Sequence, residues 1–250
     1  MDIYLLGTGT AIPIQNHSPA GLVIKATDGG FFLFDIGPGT LGRLHLADVA
    51  YNRLDHLFLT HLHPDHTLDL ATLFLAFNYA PNAERTAPFH ITGCRGLEDF
   101  LKRMFDLYPE IVPIPFELNL QTVYRNEFSI GNLKIKSAPT MHTPESVAYR
   151  VEDGRHSIVY SGDVNPRGEL TELANGADLL ISECSFPSGW ETEDHLNADM
   201  VGEIAKQAGV KSVILTHSYP PALAVDLAAQ VRQHFTGKVH CAYDGMHISL

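Results

Sequence analysis

Cysteine is scarce. The chain has three (Cys94, Cys184 and Cys241), odd in number and far apart. That excludes a disulfide framework, and no Cys-x-x-Cys pair offers a thiolate zinc site. A reducing cytoplasm is the expected compartment. Basic residues are outnumbered: 17 Lys and Arg stand against 29 Asp and Glu, for a formal charge of −12. A broad nonspecific phosphate-binding face needs clustered Lys and Arg, so this balance argues against one. No apolar run approaches the ~20 residues that span a bilayer. Met1-Asp2-Ile3-Tyr4-Leu5-Leu6 enters a strand-like pattern with no basic segment ahead of it, so neither a membrane helix nor a signal peptide is expected. Internal repeats and tracts rich in Gly, Ser or Pro are also missing. With 250 residues and 45% hydrophobic content, we expect one soluble domain over 1–250.

Histidine, by contrast, is abundant, with fourteen residues. Four side chains able to bind metal (His61, His63, Asp65 and His66) fall within Thr60-His61-Leu62-His63-Pro64-Asp65-His66. An isolated histidine is more often a satisfied core or surface residue than a ligand. Four ligand types at this density reverse that expectation. The run follows the apolar His56-Leu57-Phe58-Leu59, which reads as a buried strand, and precedes a helical pattern over 67–79. The ligands are therefore expected on a strand-to-helix loop, the last of them at the helix start.

Strand-like runs recur at 3–6, 22–26, 31–36, 56–60, 89–92, 133–138, 146–151, 157–161, 179–182, 213–216 and 239–243. Helical patterns fall at 67–79, 96–107, 198–208 and 222–234. Short turns such as Thr27-Asp28-Gly29-Gly30 predict antiparallel pairing in the first part of the chain. Strands and helices alternate more in the second part. The expected fold is α/β, two mixed sheets with helices on their outer faces. Gly7-Thr8-Gly9-Thr10 follows the first strand, but Ile12 and the absence of Gly-Lys-Ser/Thr make it a poor nucleotide loop. Its glycines are expected to permit a tight turn. The apolar stretch 108–116 reads as a buried connection or, less simply, as a pocket wall or subunit contact.

Four ligands are too few for two metals. Three further candidates each follow an apolar strand: His142 after 133–138, Asp163 after 157–161 and His217 after 213–216. Their shared placement at strand ends sets them apart from a scattered histidine or aspartate.

In that order, His61-x-His63-x-Asp65-His66, His142, Asp163 and His217 resemble the motifs of the metallo-β-lactamase-fold hydrolases. Asp35 in Phe34-Asp35-Ile36-Gly37 matches the family's earlier aspartate. The resemblance runs from Leu6-Gly7-Thr8-Gly9 to Tyr243-Asp244-Gly245 and is strongest to the ribonuclease Z-like branch. It implies an αββα sandwich carrying two divalent metals at one edge. One would be held by His61, His63, His142 and Asp163. The other would be held by Asp65, His66, Asp163 and His217, with Asp163 bridging. Asp65 is expected to serve catalysis as well as binding. Zn²⁺ is the expected metal, and Mn²⁺ or Fe would also suit imidazole and carboxylate donors. Asp35 and Asp69 are expected to brace the ligands from behind, Asp244 less so. By the same resemblance His195, just before a helix capped by Asn197, faces the metals as a general acid. A homodimer is expected by analogy.

The implied reaction is hydrolysis of a small phosphodiester, hydroxide attacking phosphorus while His195 protonates the departing alkoxide. Ribonuclease Z-type processing of tRNA 3′ ends is the nearest alternative. Relatives that process tRNA usually carry a Gly-, Pro- and Lys/Arg-rich arm, and no such insertion is visible here, which places large RNA behind small substrates. Ester, lactone, thioester or arylsulfate hydrolysis and an iron-dependent oxidoreductase are the further alternatives on this fold.

Overall fold

The computed structural model describes residues 1–81, 85–112 and 114–250. Two seven-stranded sheets lie face to face. The first contains β1 (Asp2–Gly7), β2 (Gly21–Lys25), β3 (Phe31–Phe34), β4 (His56–Leu59), β5 (Phe89–Gly93) and β6 (Leu118–Thr122). The second contains β7 (Glu127–Ile130), β8 (Leu133–Pro139), β9 (Val147–Glu152), β10 (Ser157–Tyr160), β11 (Leu179–Glu183), β12 (Ser212–Thr216) and β13 (Lys238–Cys241). The last strand, β14 (Met246–Ser249), returns to pair with β1, giving the orders β14-β1-β2-β3-β4-β5-β6 and β13-β12-β11-β10-β9-β8-β7.

The same rule builds both sheets. Pairing is antiparallel through β3 in the first and through β10 in the second, then parallel to the far edge. Parallel neighbours need a crossover, so the helices appear only where pairing becomes parallel. They are α1 (Thr40–Arg43), α2 (Pro64–Thr67), α3 (Asp69–Tyr79) and α4 (Leu97–Leu107) on the first sheet. On the second they are α5 (Leu170–Leu173), α6 (Ala198–Ala208), α7 (Pro220–Leu223) and α8 (Leu227–Val231). The antiparallel pairing expected for the first part of the chain therefore ends at β3.

Strand alternation creates three apolar layers. Phe32, Phe34 and Phe58 point between the sheets, where they meet Tyr149, Ile158 and Tyr160. Their neighbours Phe31, Leu33, Leu57 and Leu59 point outward, under Leu73, Phe74 and Leu101 of α3 and α4. On the second sheet Val159, Leu180 and Val213 point outward beneath Val201 and Ala205 of α6 and Val231 of α8. These layers give the expected αββα sandwich. Among the described residues, no helix is long and apolar enough to cross a membrane.

Several local expectations change. Pro64 begins α2, so Asp65 lies inside a helical turn rather than on an open loop, and His66 is within that turn, close to the helix start expected for it; proline suits a helix's first position because its missing N–H has no partner there. The helix expected over 222–234 is two, because Asp226 caps α8 by accepting from the Ala229 N–H. Gly7 and Gly9 do not use a left-handed backbone. They are required by contact instead: a Cβ on Gly7 would collide with the Pro19 carbonyl, and one on Gly9 with the His17 carbonyl. Within 108–116, Ile111 is buried and Ile114 and Phe116 pack against the outer layer of the first sheet, while Tyr108 and Val112 are half exposed; Pro113 lies outside the described residues.

Gly7→Ala is expected to cost about 1–3 kcal/mol, because the Pro19 segment must move to admit a methyl group. Chemical denaturation measures this; an unchanged midpoint would contradict the close-approach explanation.

Candidate metal centre

In open α/β sheets, side chains at the carboxyl ends of parallel strands converge beside the point where strand order switches. Asp35 follows β3, the last strand of the first sheet before pairing turns parallel. Asp163 follows β10, its counterpart in the second. Between them, at the same end, lie the run after β4, His142 after β8 and His217 after β12.

Asp35 is fully buried and organises the first sheet's contribution. Its Oδ1 accepts from the Thr60 N–H at 2.8 Å. Its Oδ2 accepts from Thr60 Oγ1 at 2.9 Å, His66 Nδ1 at 2.7 Å and Tyr160 OH at 3.0 Å. A carboxylate only accepts, so His66 must carry its proton on Nδ1. The Thr60 hydroxyl spends its single proton on Asp35, so the contact at 3.0 Å from His61 Nδ1 to Thr60 Oγ1 must be donated by His61. Both imidazoles are thereby left with an Nε2 lone pair facing the site. His142 is set the same way, since its Nδ1 lies 2.8 Å from the Asp194 carbonyl, which can only accept.

Asp163 faces two groups of nitrogens with its two oxygens. Oδ2 lies 3.7 Å from His61 Nε2 and 3.6 Å from His142 Nε2. Oδ1 lies 3.4 Å from His66 Nε2 and 3.4 Å from His217 Nδ1. His142 Nε2 is 3.2 Å from His63 Nδ1, and His217 Nε2 is 3.4 Å from Asp65 Oδ2. Donor atoms of His61, His63, His142 and Asp163 lie within 4.8 Å of one another, as do those of Asp65, His66 and His217. The structure thus brings together all seven residues read from the sequence as ligands.

The arrangement fits a pair of cations. Four donors placed tetrahedrally around an ion at ~2.0–2.2 Å stand about 3.4 Å apart, which matches the spacings above. His61 Nε2, His66 Nε2, Asp163 Oδ1 and His217 Nδ1 are buried atoms with no hydrogen-bond partner. Each such atom costs ~1–3 kcal/mol if left unpaired, and all four point into one space. Without cations the ligands are shifted in different directions, and a cation would replace the proton that the carboxylates draw onto His66. Burial, aided by His66, pushes His61 well below the ordinary imidazole range. At His66 burial acts the same way, but Asp163 and Asp35 overcome it and raise His66 well above that range. Burial opposes ionisation of Asp163, yet His217 and His66 hold it well below the usual carboxylate range.

His195 stands at the edge of this cluster. Its ring centroid is 4.8 Å from that of His142 and 5.8 Å from that of His217. Asn197 caps α6 as expected, accepting from the Met200 N–H. Sequence reasoning missed the residue behind His195. Glu183, fully buried at the end of β11, lies 3.2 Å from His195 Nδ1 and also accepts from Val164, Ser185 and Leu196. Its only sequence signal is its place at an apolar strand's end, shared with Asp163 and His217. Asp69 sits further back than expected: it accepts from the Gly39 and Leu41 N–H groups and braces the turn after Asp35. Asp244 holds Thr8, whose carbonyl accepts from the His217 N–H.

Beside His63, a cleft of about 530 Å³ opens between Leu62, Cys94, Arg95, Phe100 and Arg103. The Arg95 guanidinium lies 4.2 Å from the centre of the Tyr124 ring.

The sequence profile of the beta-lactamase superfamily domain matches residues 31–218. The chain is 28% identical to ribonuclease Z of Brevibacillus brevis, over 88% of this chain and 86% of that protein. It is 28% identical to the probable metallo-hydrolase YhfI of Bacillus subtilis, over 98% of each. The crystal structure of YhfI, a metallo-β-lactamase fold protein, superposes with a TM-score of 0.85 at 26% identity, covering 99% of this chain and 98% of that one. Human tRNase Z, short form, superposes with a TM-score of 0.80 at 25% identity, covering 100% and 99%.

Asp35→Asn removes the acceptor that fixes the protons of His61 and His66. Metal affinity is expected to fall about 10–100-fold, as read by chelator competition; retention equal to wild type would remove Asp35 from the support of the site.

Proposed function

The chain belongs to the beta-lactamase superfamily and is a hydrolytic enzyme of its ribonuclease Z-like branch, and from that membership we propose that it is a dinuclear phosphodiesterase acting on a small phosphodiester, with His195 as general acid. The observation that carries this reading is the contact at 3.2 Å between partly buried His195 and the fully buried carboxylate of Glu183, beside the two ligand groups.

His61, His63, His142 and Asp163 would hold one cation, and Asp65, His66, Asp163 and His217 the other. Zn²⁺ is the proposed metal, from the imidazole and carboxylate donors. When bound, the cations supply Lewis-acid stabilisation of phosphoryl charge and lower the pKa of a water nucleophile. The chain's own residues do the rest. Glu183 can only accept, so the proton on His195 Nδ1 is fixed toward it and Nε2 faces the site. Burial disfavours a charged His195, but the hydrogen bond and charge of Glu183 outweigh burial and raise its pKa to about 9. At neutral pH His195 is therefore an imidazolium, able to give the Nε2 proton to a departing alkoxide. An alkoxide leaving phosphorus needs that proton far more than an activated phenolate does. The cleft beside His63, with Arg95 and Arg103 on its walls, receives the part of the substrate that stays on phosphorus.

Processing of tRNA 3′ ends is the second reading, favoured by the relatives named ribonuclease Z and tRNase Z. The excess of acidic over basic residues favours the small substrate.

One set of assays tests both. Metal-loaded protein is given a precursor tRNA, a small dialkyl or dinucleoside diester and bis(p-nitrophenyl) phosphate. His195→Ala is expected to lower kcat about 10²–10⁴-fold on the alkoxide-leaving diester, with a much smaller loss on the nitrophenyl ester and unchanged metal content. A general acid acts only while protonated, so activity holds through neutral pH and falls as pH rises through the His195 pKa. Glu183→Gln removes the largest raising influence and moves that fall to lower pH. Equal losses on the two small esters would refute the acid role. Efficient, site-specific cleavage of the precursor would replace the small substrate by tRNA.

A further inference from the structure

Three aromatic rings are stacked like rungs beside His195. Tyr219 and Phe186 have centroids 5.3 Å apart and planes 14° from parallel. Phe186 and Trp190 follow at 5.1 Å and 3°. The inner rung, Tyr219, meets His217 edge-on at 6.0 Å, and His195 stands edge-on to Tyr219 at 5.7 Å and to Phe186 at 6.2 Å. The ladder starts at the ligand cluster and ends at Trp190, which is 44% exposed.

An exposed indole on a loop is ordinarily free to move. Here the backbone is fixed and the ring is stacked on Phe186. The Trp190 main-chain N–H donates to the Pro187 carbonyl at 3.2 Å, and its own carbonyl accepts from Asn197 Nδ2 at 2.9 Å. Asn197 is the same residue that caps α6. The two preceding residues are tied as well, Ser188 N–H to Gln230 Oε1 at 2.9 Å and Gly189 N–H to Asp199 Oδ2 at 2.8 Å. A tied backbone and a stacked neighbour limit the freedom of an indole that stays partly in water, which folding alone does not reward. A preformed face of this kind suits a planar ring, because stacking needs a partner already parallel.

We propose that Trp190, Phe186 and Tyr219 form a stacking subsite for a planar aromatic base carried by the leaving part of the substrate. The assignment to the leaving part rests on the general-acid reading of His195: the oxygen that takes its proton departs beside His195, which stands edge-on to Tyr219 and Phe186. Phe186 lies beside His195 and Trp190 one rung further out, so the base is expected to be joined to that oxygen through a sugar rather than directly.

Trp190 is the single tryptophan of the chain, so its emission reports on the outer rung without a label. Metal-loaded protein is titrated with adenosine 3′-monophosphate and, separately, with glycerol 2-phosphate, which has no ring. The nucleotide is expected to quench the emission saturably and the glycerol ester to leave it unchanged. By calorimetry the nucleotide should bind about ten-fold tighter than the glycerol ester. Trp190→Ala should abolish that preference and Trp190→Phe should keep it. Equal emission changes with both ligands, or an intact preference in Trp190→Ala, would overturn the subsite. These readouts need no turnover: a hydrolase that gives no quenching loses the subsite alone, whereas a protein that binds the nucleotide but cleaves no diester loses the proposed function alone.

Discussion

The structure depends on where one buried carboxylate places protons. Asp35 accepts from Thr60, His66 and Tyr160, and through the Thr60 hydroxyl it also orients His61. Because a carboxylate only accepts, these bonds dictate a single tautomer for each imidazole. The Nε2 lone pairs of His61 and His66 then converge on Asp163 from one side, and His142 and His217 complete the circle. Tyr160 belongs to the second sheet, so the same carboxylate also links the two sheets across the inner apolar layer. Asp35 and Asp163 end corresponding strands, each at its sheet's change from antiparallel to parallel pairing. The site is thus a consequence of topology: two switch points are laid against each other, with one carboxylate from each.

Holding the donors there strains the chain. Among the described residues, five other than glycine have a left-handed backbone, and three of them (Asp35, Met141 and His217) are ligands, neighbours of ligands or their support. Such conformations cost ~1–3 kcal/mol each. They persist because the surrounding bonds over-determine them, as when the Asp35 N–H donates to the Phe58 carbonyl and the His217 N–H to the Thr8 carbonyl. Four unpaired buried donor and acceptor atoms add to the cost. Strain and unsatisfied polarity concentrated in one space mark a centre built to bind, not one relaxed for stability.

Much of this was legible in the sequence, for physical reasons. Buried strands announce themselves as short apolar runs, and a histidine or aspartate directly after one is out of place unless it has work to do. That reasoning found His142, Asp163 and His217 as well as the dense run after β4. It passed over Glu183, because glutamate is common in an acidic chain and nothing local reveals that its carboxylate is fully buried. The edge strands β6, β7 and β14 were missed because at most half of each faces the core, which weakens the apolar signal. The aromatic ladder was invisible for a different reason. Phe186 and Trp190 precede α6, and Tyr219 follows β12; only the parallel pairing of β11 with β12 brings them together. Pro64 was read as part of a loop, although proline's fixed φ also suits it to begin a helix.

The central claim is that two cations share one carboxylate, each with its own set of histidines. Elemental analysis of metal-loaded, dialysed protein tests this most directly when wild type is compared with Asp163→Asn and His63→Ala, each checked for folding by circular dichroism. About two metals per chain are expected in wild type, about one in His63→Ala and nearly none in Asp163→Asn. A folded Asp163→Asn protein that still holds two metals would contradict it.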